Sequence, residues 1–71
     1  MKREGAVSRV LSSEKLRIEH KTIIVDLKEN DGGMFVQIAE LSNDRRSTVV
    51  IPLSGVELFK VALERVVEGA P

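Results

Sequence analysis

The sequence contains no cysteine, no tryptophan and no tyrosine, and it has only two phenylalanines and one histidine. Without cysteine the chain has no disulfide, and the lone His20 with scattered carboxylates gives no zinc-binding spacing. His20 lies near the end of a segment with strand-like alternation, and a histidine at such a position usually has a structural role rather than a catalytic or metal-binding one. No nucleophile–base pair and no phosphate-binding glycine loop is present. We therefore expect no metal site, no cofactor, no small-molecule substrate and no enzymatic activity.

The chain also lacks a net charge and a long apolar run. Eleven basic residues balance eleven acidic ones, whereas a typical nucleic-acid-binding domain is clearly basic. Seven of the basic residues fall within residues 1–28, so any such binding must come from a local patch. No apolar segment approaches membrane-spanning length, and MKREGAVSRV at the N-terminus lacks the apolar centre of a signal peptide. We expect a cytoplasmic protein without membrane association.

The strongest local pattern predicts a hairpin between His20 and Leu41. Apolar residues alternate on both sides of Asp31-Gly32, where a tight turn needs the positive φ that glycine adopts freely and aspartate tolerates. One face is fully apolar, with Ile23, Val25, Leu27, Met34, Val36 and Ile38. Function is expected on the other, mixed face, with Ile24, Asp26, Lys28, Asn30, Phe35 and Gln37.

Two further strands flank this hairpin. Leu16, Ile18 and His20 alternate with charged residues and predict a first strand within residues 10–20, followed by a short connection at His20-Lys21. RSTVVIPL predicts a fourth strand that ends at Pro52, because proline cannot donate to a ladder. Residues 1–11 are predicted to be a flexible N-terminal tail.

A helix is predicted over residues 54–68. Ser54 and Glu57 fit a capping box, Gly69 suits a left-handed C-cap, and Pro71 prevents continuation. The apolar surface exceeds the stripe of about 100° that covers one sheet. The helix would therefore contact its own sheet and a second body. The stripe toward its own sheet is predicted to contain Val56, Phe59, Leu63, Val66 and Val67.

The small size of the chain suggests what the second body is. A core built from 71 residues contributes only a few kcal/mol, so domains of this length usually need a disulfide, a metal or a partner subunit. With the first two excluded, a homodimer remains. Its interface is predicted to include Leu58, Phe59, Val61, Ala62 and Val66.

With the order ββββα, the segments KTIIVDLKEN, MFVQIAEL and RRSTVVIPLSGVELFKVAL together resemble a PUR repeat of the Pur-alpha family of single-stranded nucleic-acid-binding proteins. The resemblance implies an α+β fold, a curved four-stranded antiparallel sheet with one C-terminal helix. Two repeats intertwine in a Whirly-like arrangement, each helix crossing onto the other's sheet. A single repeat over residues 12–71 would thus form an intertwined homodimer. The implied ligand is single-stranded DNA or RNA, which leaves a nucleoid or RNA association open.

The resemblance also implies which residues bind. The basic-x-Asn pattern of the family matches at Lys28 and Asn30, its third-strand phenylalanine at Phe35, and its basic residues before the fourth strand at Arg45 and Arg46. On the open face we predict nucleic-acid contacts from Arg17, Lys28, Asn30, Phe35, Gln37, Arg45 and Arg46.

Several positions depart from the family pattern. Gly32 and Met34 stand where arginines are common, Gln37 replaces a lysine, and Ile23-Ile24 replace an aromatic pair. Only Phe35 remains as a platform for base stacking, which contributes about 1–3 kcal/mol per base. We therefore expect weak, salt-sensitive binding.

A plainer interpretation stays open for each of these residues. Phe35 with Ile24 and Ala39 could form a hydrophobic strip that a neighbouring protein covers. Lys28 and Asn30 could be strand-end and turn residues, and the two consecutive arginines could be solvated charges. The alternative function is then a dimeric protein-interaction or structural module of the same fold that has lost nucleic-acid binding.

Overall fold

A computed structural model describes residues 8–71, so residues 1–7 of the predicted tail lie outside the described part. Four strands form one antiparallel sheet in the order β1-β2-β3-β4, and a single α-helix follows them. The elements are β1 (Arg9–Ile18), β2 (Lys21–Asn30), β3 (Gly33–Ser42), β4 (Arg45–Pro52), a 3-10 turn (Leu53–Gly55) and α1 (Val56–Glu68). The α+β fold in the order ββββα is confirmed. Residues 9–11 of the predicted tail belong to β1.

Three two-residue turns join the strands, and they differ in detail from the prediction. Asp31-Gly32 does connect β2 to β3, but the positive φ of 126° falls on the next residue, Gly33. Asn43 and Asp44, between β3 and β4, both have positive φ, as a type I′ hairpin turn requires. The first turn is Glu19-His20 rather than His20-Lys21, so β1 ends before the predicted residue.

The register assigns each paired strand residue to one of two faces, because cross-strand partners in an antiparallel sheet share a face. Val25 pairs with Ile38, and Ile38 pairs with Val49. We call this side the apolar face. Its apolar residues are Leu16, Ile18, Ile23, Val25, Leu27, Met34, Val36, Ile38, Val49 and Ile51, and charged residues that include Arg9, Glu14, Lys21, Glu29, Glu40 and Arg45 lie on the same side. The opposite side is the mixed face, and both compositions agree with the predicted alternation.

The helix begins and ends differently from the prediction. Ser54 lies in the 3-10 turn, and Gly55 is the N-cap residue with no side-chain cap hydrogen bond, so the predicted capping box is wrong. Gly69 has φ −79°, so the predicted left-handed C-cap is also wrong. Instead, the Gly69 N–H donates to the Arg65 carbonyl at 3.1 Å and the Ala70 N–H donates to the Val67 carbonyl at 3.0 Å.

The helix does not lie on the sheet of its own chain, so the predicted contact between the two is wrong. α1 contacts the 3-10 turn before it and makes no extensive contact with any strand. Among the described residues only Ala39 is buried. The radius of gyration is 14.4 Å, against about 11 Å for a compact domain of this length. A single chain therefore leaves both its apolar face and its helix uncovered.

Candidate nucleic-acid interface

The mixed face is organised as four cross-strand rows, each with one residue from every strand. Row one is Arg17, Thr22, Leu41 and Arg46; row two is Lys15, Ile24, Ala39 and Thr48. Row three is Ser13, Asp26, Gln37 and Val50; row four is Val10, Lys28, Phe35 and Pro52. A β-bulge between Val10 and Ser12 lies beside row four and shifts the register there.

Positive charge is concentrated on the mixed face although the whole chain is neutral. In the described strands this face carries four cations, Lys15, Arg17, Lys28 and Arg46, and one carboxylate, Asp26. Several charges of the apolar face instead pair with each other. Arg9 bonds to Glu29, and the Lys21 Nζ lies 2.7 Å from a Glu40 carboxylate oxygen. The mixed face is therefore the side of the described sheet with net positive charge.

One end of the mixed face is aromatic and apolar. Phe35 is half-buried and pairs directly with Lys28 across the strands. Phe35, Val50, Pro52 and the β2–β3 turn line an open depression of about 440 Å³. A base could enter this depression and stack on the ring, with Lys28 close enough to neutralise a phosphate.

Hydrogen bonds hold three of the predicted binding residues, Lys28, Gln37 and Asn30, in place. The Lys28 Nζ donates to Gln37 Oε1 at 3.2 Å. An ammonium group has three donors, so this bond leaves two for a ligand. The Asn30 Oδ1 accepts from the Gly32 N–H at 2.8 Å and thus stabilises the turn. That bond supports the turn role that the sequence left open for Asn30, whose side-chain amide N–H groups remain as donors.

The middle of the mixed face carries its one strand carboxylate. Asp26 accepts a hydrogen bond from the Ser13 hydroxyl and pairs across the strands with Gln37. This negative charge separates the aromatic end from the remaining cations. A nucleic acid chain would therefore contact phosphate-binding groups mainly at the two ends of the face.

The other end of the mixed face is basic. Arg17, His20, Arg45 and Arg46 line an open depression of about 450 Å³ beside the turns that precede β2 and β4. Along β3 this end lies six residues from Phe35, which corresponds to about 20 Å at the rise of an extended strand. The two ends are therefore far enough apart for several nucleotides to lie between them.

The structure brings most of the predicted binding residues together. Arg17, Lys28, Phe35, Gln37 and Arg46 lie on the mixed face, and Asn30 lies at its aromatic end. Register assigns Arg45 to the opposite side, although its position next to the turn lets it line the basic depression.

Two functional candidates were missed from the sequence. Lys15 lies on the mixed face in row two, and its two-residue spacing from Arg17 was the signal that could have identified it. His20 was predicted to belong to the first strand and to be structural, but it lies in the first turn and lines the basic depression.

Within residues 8–71, no group of three or more histidine, cysteine, aspartate or glutamate side chains could hold a metal ion. In the same part of the chain, no helix is long and apolar enough to cross a membrane. Neither finding gives a candidate functional site in addition to the mixed face.

Comparisons with known proteins show what the chain is similar to. A family model described as PurA ssDNA and RNA-binding protein matches residues 2–70. The chain is 43% identical over 49 residues to "Transcription factor Pur-alpha 1" of Arabidopsis thaliana, with 69% of this chain and 17% of that protein covered. It is 38% identical over 61 residues to "Transcriptional activator plp-1" of Caenorhabditis elegans, with 80% of this chain and 27% of that protein covered. The chain thus spans only a small part of either relative.

Proposed function

The chain belongs to the PurA family of single-stranded DNA- and RNA-binding proteins, and from that membership we propose that it binds single-stranded nucleic acid as a homodimer through its mixed face. One observation carries the proposal: the side with net positive charge is also the side that holds Phe35 next to Lys28. Sequence-tolerant binding of single strands needs this combination of cations and a stacking platform.

The uncovered apolar surfaces support the homodimer. Val49 on the apolar face is 54% exposed, and Leu58 and Val66 on the helix are 77% and 74% exposed. Isolated soluble domains rarely expose contiguous apolar patches of more than a few hundred Å². In the proposed dimer each helix lies on the apolar face of the other chain. This covers both surfaces and leaves each mixed face open.

The width of the apolar surface of the helix fits a dimer in which each helix lies on the sheet of the other chain. At 3.6 residues per turn, seven apolar residues fall within an arc of about 180°; they are Val56, Leu58, Phe59, Ala62, Leu63, Val66 and Val67. Val61, also predicted at the interface, lies outside this arc among charged residues. The arc is wide enough to contact the partner's sheet and an additional part of the partner.

The alternative interaction module has its own observation in favour. Val50, on the mixed face near Phe35, is 55% exposed, and with Pro52 it extends the apolar strip of Phe35 and Ile24. Ala39, which was also predicted in this strip, is 2% exposed and is therefore already covered within the chain. A protein partner could cover that strip. The same surface then binds a protein instead of bases.

Titration of labelled single-stranded oligonucleotides at two salt concentrations separates these functions. If the mixed face binds nucleic acid, the dissociation constant at low salt should be lower than the roughly 10⁻⁴ M that marks the weak limit of non-specific binding. It should also rise steeply with salt, because bound phosphates release counterions. No binding at low salt would favour the interaction module.

Phe35→Ala should weaken oligonucleotide binding by about 1–3 kcal/mol, the contribution of one stacked base. Because the ring is uncharged, the slope of log affinity against log salt should stay unchanged. Fluorescence anisotropy at several salt concentrations measures both quantities. If the variant remains a folded dimer and binds with wild-type affinity, Phe35 does not belong to the binding site.

Lys28→Ala should weaken oligonucleotide binding in a different way from Phe35→Ala, through a change in the salt dependence. Removal of one cation that neutralises a phosphate of a single strand lowers the salt slope by about 0.7, so the variant should lose affinity mainly at low salt. The matched control is Lys60→Ala, which removes a cation of the helix, outside the mixed face. The Lys60 Nζ lies 3.2 Å from Glu57 Oε2. Equal slopes for Lys28→Ala and Lys60→Ala would contradict a phosphate contact at Lys28.

A further inference from the structure

Row one of the mixed face places two arginines on opposite edges of the sheet. Arg17 on β1 and Arg46 on β4 are joined in register through Thr22 and Leu41. Four strands spaced about 4.8 Å apart put the two Cα atoms about 14 Å from each other. Both side chains line the same basic depression, so they border it from opposite sides.

The turns complete this end of the sheet. His20 comes from the first turn, and Arg45 comes from the start of β4. Within residues 8–71, none of the three arginines of the depression forms an ion pair; Arg17 donates from Nε to the Glu19 carbonyl at 3.4 Å. Asp44 is the one carboxylate in the lining. Three guanidinium groups against one carboxylate leave the depression clearly positive.

The charge and position of the depression indicate its ligand. Arginine binds phosphate through paired N–H donors. An internal phosphodiester carries one negative charge, whereas a terminal phosphate carries about 1.5 to 2. The depression lies where the mixed face ends at two turns, so the end of a strand that lies along the face can place its terminal phosphate there.

We infer that the basic depression binds the terminal phosphate of a single-stranded nucleic acid whose body lies along the mixed face. This inference rests on the proposed function and adds a preference for one phosphorylated end. Arg17 and Arg46 hold the phosphate from two sides, while Arg45 contributes positive charge and N–H donors at the rim and His20 contributes a ring nitrogen.

The test compares three oligonucleotides of one sequence, with a 5′-phosphate, with a 3′-phosphate and with neither. The protein should bind one of the two phosphorylated oligonucleotides about tenfold more tightly than the unphosphorylated one, the equivalent of one charge-assisted hydrogen bond. An unphosphorylated oligonucleotide that is one nucleotide longer controls for the added charge. It should gain much less affinity.

Arg17→Gln and Arg46→Gln should each abolish the preference, and both residues are exposed, so the fold should be retained. Lys15→Gln is the matched control: it removes one cation from the same face and strand but outside the depression. It should weaken all three oligonucleotides and keep the preference. Arg46→Lys keeps the charge but removes the paired donors, and should reduce the preference.

Each remaining outcome has a defined meaning. Equal binding of all three oligonucleotides, an equal gain from the 5′- and the 3′-phosphate, or a preference that persists in both arginine-to-glutamine variants overturns the terminal-phosphate site, while nucleic-acid binding by the mixed face stands. Failure of the wild type to bind any of them overturns the proposed function as well.

Discussion

Val49→Glu is expected to dissociate the protein and abolish its cooperative unfolding. Val49 lies on the apolar face and is 54% exposed in one chain, so the exposure of a single chain predicts only a mild effect. In the proposed dimer the partner's helix covers it. A buried charge without a partner costs about 3–5 kcal/mol, and twofold symmetry introduces two of them. A small domain has only about 5–15 kcal/mol of total stability.

The neighbouring residue supplies the matched control. Val50 is 55% exposed on the same strand but faces the mixed side. Val50→Glu should leave the dimer and its melting temperature nearly unchanged, and should weaken oligonucleotide binding by placing a carboxylate near Phe35. Size-exclusion chromatography and circular dichroism melting compare the two variants. Equal effects of the two substitutions on assembly would contradict the assignment of the apolar face to the partner.

Leu58→Glu is expected to have a comparably large effect from the helix side. The leucine is 77% exposed in one chain, where a charged side chain would be tolerated. Against the partner's apolar face, the same carboxylate would be buried without a cation. The variant should therefore become monomeric and largely unfolded at micromolar concentration, with a decrease in the helical circular dichroism signal.

Lys60→Glu is the control for this substitution. It also adds a carboxylate to α1, but outside the apolar arc. There it removes the exposed ion pair that Lys60 forms with Glu57. Exposed pairs contribute at most about 1 kcal/mol, so this variant should remain a folded dimer. A folded dimer of Leu58→Glu with wild-type stability would show that the helix does not cross to the partner through this arc.

The sequence was sufficient to predict the strands and their faces. Alternation in β2 and β3 has a period of two, and each side chain therefore has one possible face once the hairpin pairs. The same parity correctly grouped Arg17, Lys28 and Phe35 on one side. Alternation does not show where a strand ends, and this is why His20 was assigned to a strand. Arg45 was expected on the mixed face from the family resemblance, whereas consecutive strand residues point to opposite faces and Arg46 takes the mixed side.

The connection between sheet and helix could not be predicted. The capping-box pattern at Ser54 and Glu57 is local, but the 3-10 turn moves the start of the helix to Val56. Helical periodicity shows which residues of α1 are apolar, but it does not say which chain they contact. The predicted contact with the chain's own sheet failed for this reason, whereas the excess apolar surface was real.

Sedimentation equilibrium with a labelled single-stranded oligonucleotide at low salt tests the central claim most directly, because it reports assembly and binding together. Without oligonucleotide, the protein at micromolar concentration should sediment at about twice the chain mass of 7.9 kDa. With it, the label should sediment with a particle that contains two chains. A cooperatively folded protein that sediments at the mass of one chain, or a label that stays at the mass of the free oligonucleotide, would contradict the account.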